Sequence, residues 1–457
     1  MIPKKLKDIS AFSSGIELAS LSPQILSHLK QIVIDSVGAV IAGSQEPEML
    51  ALGAKKIKQP GLATLIGFDH LVSTETAAFM NGTSGTFLEM DEGNRFSRGH
   101  PSIHVLPAVL ALCQERGLGV QPFLNGLLAG YEVGSRIGAA TQLRSSMHPH
   151  GTWGTVGAAA GCARAVGLDP STTAEVINIS TSLTLATSKK TMLEGGLVRN
   201  TYAGISNKHG LLALDLMESG FSSEVDGLDS VFGSVVSETF DDEIFLRGHG
   251  TEWHVLQNYF KLHSCCRYNH ATLDAIDLIT KESLSLDVDQ IERVEVSTYN
   301  LAAELKDAKP RNTLAAKFSI PFAVATRLIN GHSRLESFTR DSIDNPRILA
   351  LAAKVDVVHD LSMTARLPNE RPATVKIHLK NQPALEACVS TNRGDDASPY
   401  VEREIHDKFL NLAQRVWSEK RAQSFLDASL ELFDGAKTKQ SNNWTLWLNL
   451  LSKDQSH

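Results

Sequence analysis

Apolar positions along this chain recur mostly at the helical spacing. After Ser22 and Pro23, a pair suited to an N-cap and a first helical position, Leu26, Leu29, Ile32, Val33 and Val37 mark one helical face that fades at Gly43. Further helical segments rich in small residues are predicted near residues 74–88, 102–116, 121–140, 154–166, 172–188 and 200–218. Gly154, Gly157, Ala158, Ala159, Ala160 and Gly161 fall in one of them, which predicts helix axes packed closely together. The pattern changes after about residue 270. A helix over 271–281 leads into a strand over 288–296, and an apolar helix is predicted over 315–330, stopped by Gly331. Residues 373–379 and 385–389 alternate in the strand period around an Asn381-Gln382-Pro383 turn, a hairpin signal. Helical spacing returns over 401–416, 422–432 and 444–451, and the polar tail from Ser452 is expected to fray.

These periods predict a mainly α protein. A large helical domain (residues 1–270 and 399–457) is interrupted by a smaller α+β lid domain, residues 271–398. The 457 residues carry a net charge of −7, with aromatics at 6% and no Lys/Arg-rich stripe, which excludes a nucleic-acid binder. No apolar run is expected to reach membrane-span length, so no membrane partner is expected. Five cysteines without CxxC spacing or a signal peptide predict free thiols in a reducing cytoplasm.

Four stretches could carry chemistry. In MDEGNRFSRGHPSIHVLPA (90–108), Asp91, Arg95, Arg98 and His100 precede a helix whose second residue is a proline. A carboxylate, two guanidinium groups and an imidazole are expected to converge at that helix mouth, where backbone N–H groups favour an anion. His104 sits four residues after His100, but Pro101 holds the place of the Glu in a zinc-protease HExxH, so no metal is expected. HPHGTWG, with His148 and His150, offers a proton donor ahead of a helix of small residues. In EGGLVRNTYAG and the following NKH, Arg199 can grip a carboxylate with a planar fork, and Lys208 is a second cation. KLHSCCRYNH places Arg267 and the acid–base candidate His270 at the domain junction. No G-x-G-x-x-G after a strand, P-loop or G-x-S-x-G is present, which disfavours nucleotide cofactors and serine hydrolysis.

Taken together, Asp91 with HPS…VLPA, HPHGTWGTVGAAA, VRNTYAG, KLHSCCRYNHATLDA and KFSIPFAVA (317–325) resemble the MmgE/PrpD family along nearly the whole chain. The resemblance implies a helical domain with an α+β lid, a homodimer, and no cofactor or metal. It implies one of three activities on a small di- or tricarboxylate: 2-methylcitrate-type dehydration, cis-aconitate-type decarboxylation or iminodisuccinate-type epimerisation. Hydro-lyase chemistry is the leading expectation, and a catalytically silent carboxylate-binding homodimer is the alternative of another class. The family's acidic position falls on Asp91 and its histidines on His100, His148 and His270, the expected catalytic residues. Arg199, Lys208, His150, Arg267 and Tyr202 are the expected substrate-binding residues. Two positions depart from the decarboxylase pattern: Arg199 stands for a lysine and Phe322 for a tyrosine. Each activity shares proton transfer at a carbon next to a carboxylate, which needs an acid or base and cations for the developing enolate charge.

Overall fold

The computed structural model describes residues 2–58, 60–283, 286–435 and 441–452; the tail expected to fray lies beyond them except for Ser452, the last residue of a helix. Mainly α architecture is what forms. Helix α1 (Pro23–Gly43) begins as its sequence dictates, with the Ser22 hydroxyl accepting from the Ile25 N–H and Pro23 in the first turn. By length and apolarity α1 could cross a membrane, contrary to the expectation that no run would. Here it is a core helix, buried nearly throughout from Leu29 to Gly43. Helices α2 (Thr74–Phe87) and α3 (Pro101–Glu115) pack on it, and α4 (Val120–Ala140), α5 (Trp153–Ala165), α6 (Pro170–Thr181) and α7 (Thr201–Glu218) extend the same apolar core.

Helices α4 and α5 touch through their backbones. A Cβ on Gly130 would stand 2.5 Å from the Gly157 carbonyl oxygen, and one on Gly126 would stand 2.6 Å from that of Gly161. That contact is the reason for the small-residue run. Helix α6 ends at Thr181, short of the expected 188, and the chain runs on as irregular backbone toward the site.

A four-stranded sheet forms from β1 (Ile291–Thr298), β2 (Val355–His359), β3 (Ala373–Leu379) and β4 (Gln382–Val389), in the order β4-β3-β1-β2. The β3–β4 hairpin is antiparallel with a bulge near its turn, and β1 pairs antiparallel to β3 and parallel to β2. One face, built from Val294, Val296, Val375 and Ile377, packs against α8 (His270–Glu282) and α9 (Ile320–Asn330) as a second core. The helix expected over 315–330 is two helices. Ser319 caps the second through the Phe322 N–H, with Pro321 in its first turn, and the break turns Phe318 toward the site. After the sheet the chain returns to α1 as α10 (Glu402–Ala413), with Phe409 against Gly38 and the buried Lys408 ammonium paired to Asp35 at 2.5 Å.

Candidate active site

A cavity of about 300 Å3 opens where the turn before α3, the loop before α5, the segment before α7 and the segment before α8 meet residues of the sheet region. Its lining includes His100, His148, His150, Arg199 and Arg267. The short pairing of Gly93–Asn94 with Asn258–Tyr259 ties the His100 turn to the Tyr259 segment and places the Tyr259 ring beside His100.

His100 has a defined tautomer. Its Nδ1–H donates to the Glu92 carbonyl at 2.6 Å, and Nδ1 also lies 3.1 Å from Asp91 Oδ2. Among the described residues nothing hydrogen-bonds its Nε2, so that nitrogen keeps a free lone pair on a ring that lines the cavity. Burial lowers its pKa and outweighs the Asp91 carboxylate, so the ring is neutral. His148 is the mirror case. Its Nδ1 accepts from the His150 N–H at 3.0 Å, which leaves the proton on Nε2. Burial and the Arg199 cation hold its pKa well below the ordinary histidine value. A neutral N–H donor and a neutral base therefore share one cavity. Between them sits His150, edge-on to His148, His100 and His104 at ring-centroid distances of 4.7, 4.9 and 5.0 Å, with a buried Nδ1 that has no partner. His104 donates from Nδ1 to the His100 carbonyl, and burial takes its pKa down to about 4. Gly154 makes room for it: a Cβ there would stand 2.2 Å from the His104 ring.

Beneath the histidines lies a buried ionic network. Glu89, at a positive φ of 54°, pairs with Arg199 at 2.5 Å and with Lys261 at 3.5 Å. Lys261 also lies 3.3 Å from Asp91. Burial alone would raise the Glu89 carboxyl, but Arg199 and Lys261 outweigh it and hold it at about 2. Asp91 does not line the cavity; it acts on His100 from behind. The helix mouth does not gather these groups as expected. The first free N–H of α3, on Ser102, is taken by Glu92 Oε1 at 2.8 Å and so is not available to an anion in the cavity. Of the two guanidinium groups expected there, Arg98 lines the cavity, whereas Arg95 pairs with Asp396 at 2.5 Å.

Three expected residues lie elsewhere. Lys208 is on the outer part of α7, half exposed and paired with Glu75 at 3.0 Å. His270 is fully buried outside the cavity, and both its nitrogens are engaged: Nδ1 accepts from Arg267 at 3.2 Å and Nε2 faces the Cys265 carbonyl at 3.3 Å. It therefore orients Arg267, which pairs with Asp395 at 3.0 Å, and has no nitrogen left for acid–base work in the cavity. Tyr202 packs edge-on behind His148 at 5.6 Å. Phe322 is buried against Phe338, outside the cavity lining. The sequence reading missed Glu89, Tyr259, Tyr268 and Arg371, and it assigned no role to Lys261. The acidic run Glu89, Asp91, Glu92 was the available signal for the first of these. As to metal ligands, His263, Asp274 and Asp277 approach one another in a different cavity, but Asp277 is bound by Arg327 at 2.6 Å and His263 by Ser333 and Asp274, so the cluster is already satisfied.

A helical body, a four-stranded sheet and a buried His–carboxylate–cation site together describe an enzyme of a recognisable class. The MmgE/PrpD N-terminal domain matches residues 7–241 and the MmgE/PrpD C-terminal domain matches residues 263–432, so the chain belongs to the MmgE/PrpD family. Among characterised relatives, it is 22% identical over 456 residues to a cis-aconitate decarboxylase of Aspergillus terreus, covering 93% of this chain and 92% of the relative. It is 21% identical over 457 residues to a cis-aconitate decarboxylase-like protein of Aspergillus oryzae, covering 92% and 93%. The cis-aconitate decarboxylase of Homo sapiens is 22% identical over 447 residues, covering 92% and 90%.

Proposed function

We propose that this chain is a lyase that moves a proton at the carbon next to a carboxylate of a small tricarboxylic acid, with His100 as the base and elimination of a β-hydroxyl as the reaction. The observation that carries this reading is the His100 tautomer. Its Nδ1–H is fixed on the Glu92 carbonyl, and burial keeps the ring neutral, so Nε2 can take a proton. The imidazolium that results is stabilised by Asp91 at 3.1 Å. It then returns the proton to the departing hydroxyl: the C–H bond breaks, the alkene forms, and the C–O bond breaks to release water. The His148 Nε2–H and the cations of the wall stabilise the enolate charge that builds up in between.

Decarboxylation is the second reading, favoured by the names of the relatives. It needs a proton donor for the carbanion left when CO2 departs; neutral His100, bare at Nε2, cannot give one, so on this reading the donor is the His148 Nε2–H. Epimerisation would return the proton to the other face. Proton NMR of the protein incubated in D2O with 2-methylcitrate, cis-aconitate and iminodisuccinate separates them. A new alkene from the hydroxy acid supports the hydro-lyase. CO2 release from cis-aconitate replaces it with the second reading. Solvent deuterium entering iminodisuccinate without net change makes the chain an epimerase. Binding with no exchange in any of them makes it a silent carboxylate-binding protein.

A further inference from the structure

Six cationic side chains line the cavity, and four of them are accounted for. Arg199 is neutralised by Glu89, Arg267 by Asp395 and Lys189 by Glu304, while Arg144 is solvent-exposed and donates to the carbonyls of Ser234 and Val235. Arg98 and Arg371 are different. Arg98 donates to the Thr141 carbonyl and Arg371 to the Arg95 carbonyl at 2.9 Å, and no carboxylate among the described residues pairs with either. Arg371 is buried, its guanidinium 5.4 Å from the Tyr268 ring centroid and 6.0 Å from that of Tyr259, the tyrosine that also abuts His100. Burial lowers the Arg98 pKa, the neighbouring Tyr268 opposes this, and the Arg371 charge adds to the lowering. Arg98 also holds a left-handed backbone at φ 55°, as Glu89 does, a conformation unfavourable for a side chain with a Cβ. Arg371 is buried and Arg98 half-buried, and neither makes an ion pair among the described residues, so an anion placed between them would complete both.

We infer that Arg98 and Arg371 form the subsite that receives a second, non-reacting carboxylate of the substrate, contributed jointly by the turn before α3 and the segment before β3. This deepens the proposed function and rests on it for the identity of the reacting carbon, but not for the binding of the remote carboxylate. The ligand class is an acyclic polycarboxylate with one carboxylate next to His100 and another a few bonds away. The subsite selects tricarboxylates over dicarboxylates that lack the remote group.

The test uses two unreactive probes and isothermal titration calorimetry on the full chain. Tricarballylate (propane-1,2,3-tricarboxylate) carries the remote carboxylate; methylsuccinate is the same skeleton with one terminal carboxylate removed. Wild type is expected to prefer tricarballylate. In Arg371→Gln and Arg98→Gln its affinity falls roughly 10–100-fold, the weight of one charged hydrogen bond, while methylsuccinate binding stays within about two-fold, so the preference disappears. Arg371→Lys, which keeps the charge and protects folding, restores part of it. Equal weakening of both probes, unchanged tricarballylate affinity in both Gln variants, or no tricarballylate binding to wild type would overturn the subsite. Because no turnover is required, the subsite stands or falls separately from the lyase reading: a protein that shows the selective loss but no alkene formation keeps the subsite and loses the reaction.

Discussion

Replacing Arg199 by Met removes the strongest partner of Glu89 and leaves a carboxylate in a site where both side chains are 2% exposed. Breaking a buried ion pair from one side costs about 3–5 kcal/mol. Lys261 remains 3.5 Å from Glu89, so the lower end, about 3 kcal/mol, is expected. In a Glu89→Gln background the same substitution has no buried charge to strand, so the two changes should be non-additive by about 2 kcal/mol. Urea denaturation followed by circular dichroism on the four proteins of the cycle measures this at neutral pH. The pH dependence adds a sign. The folded Glu89 carboxyl sits at about 2, below its ordinary 4.5. The stability it contributes is complete above about 4.5 and is lost as the pH falls toward about 2. The gap between wild type and Arg199→Met must therefore narrow as the pH drops through that window. A coupling under about 0.5 kcal/mol would refute the network as drawn. So would a gap that widens with acid.

Two further outcomes follow from the same geometry. His104, whose pKa burial takes from 6.5 to about 4, binds a proton in the unfolded chain first. Wild type should therefore lose up to about 1.4 kcal/mol more per pH unit than His104→Asn between those values, with no difference in slope above 6.5; parallel urea-midpoint curves would contradict this. Lys208→Met should leave kcat/KM within about two-fold and stability within about 0.5 kcal/mol, since an exposed pair with Glu75 contributes little; a ten-fold loss would return Lys208 to the site.

The helical body was legible because apolar spacing at 3.6 residues is a local signal, and the Ser22-Pro23 start and the 373–379 strand followed from capping and alternation. Strand β2 was not, because it sits at the sheet edge with its last two residues exposed and shows no clean alternation. In the site, His100 and His148 were readable from short polar motifs. Arg371 was not, since only the folded sheet region brings it beside a turn more than 250 residues earlier, and nothing in its neighbours marks it. His270 misled for the opposite reason. Its polar neighbours at the domain junction suggested an acid or base, yet Arg267 and the Cys265 carbonyl take up both its nitrogens. Lys208 is the second cation of its stretch by charge alone; its side chain points outward from α7 to Glu75.

In the proposed lyase, His100 Nε2 moves the proton. The direct test is the rate at which solvent deuterium enters the carbon next to a carboxylate, followed by proton NMR in D2O for wild type and His100→Gln on whichever acid is turned over. Tricarballylate affinity serves as the check that the site is still formed. Exchange in His100→Gln should fall about 10²–10⁴-fold while tricarballylate binds within a few-fold of wild type. Exchange at the wild-type rate in a His100→Gln protein that still binds the probe would contradict the account.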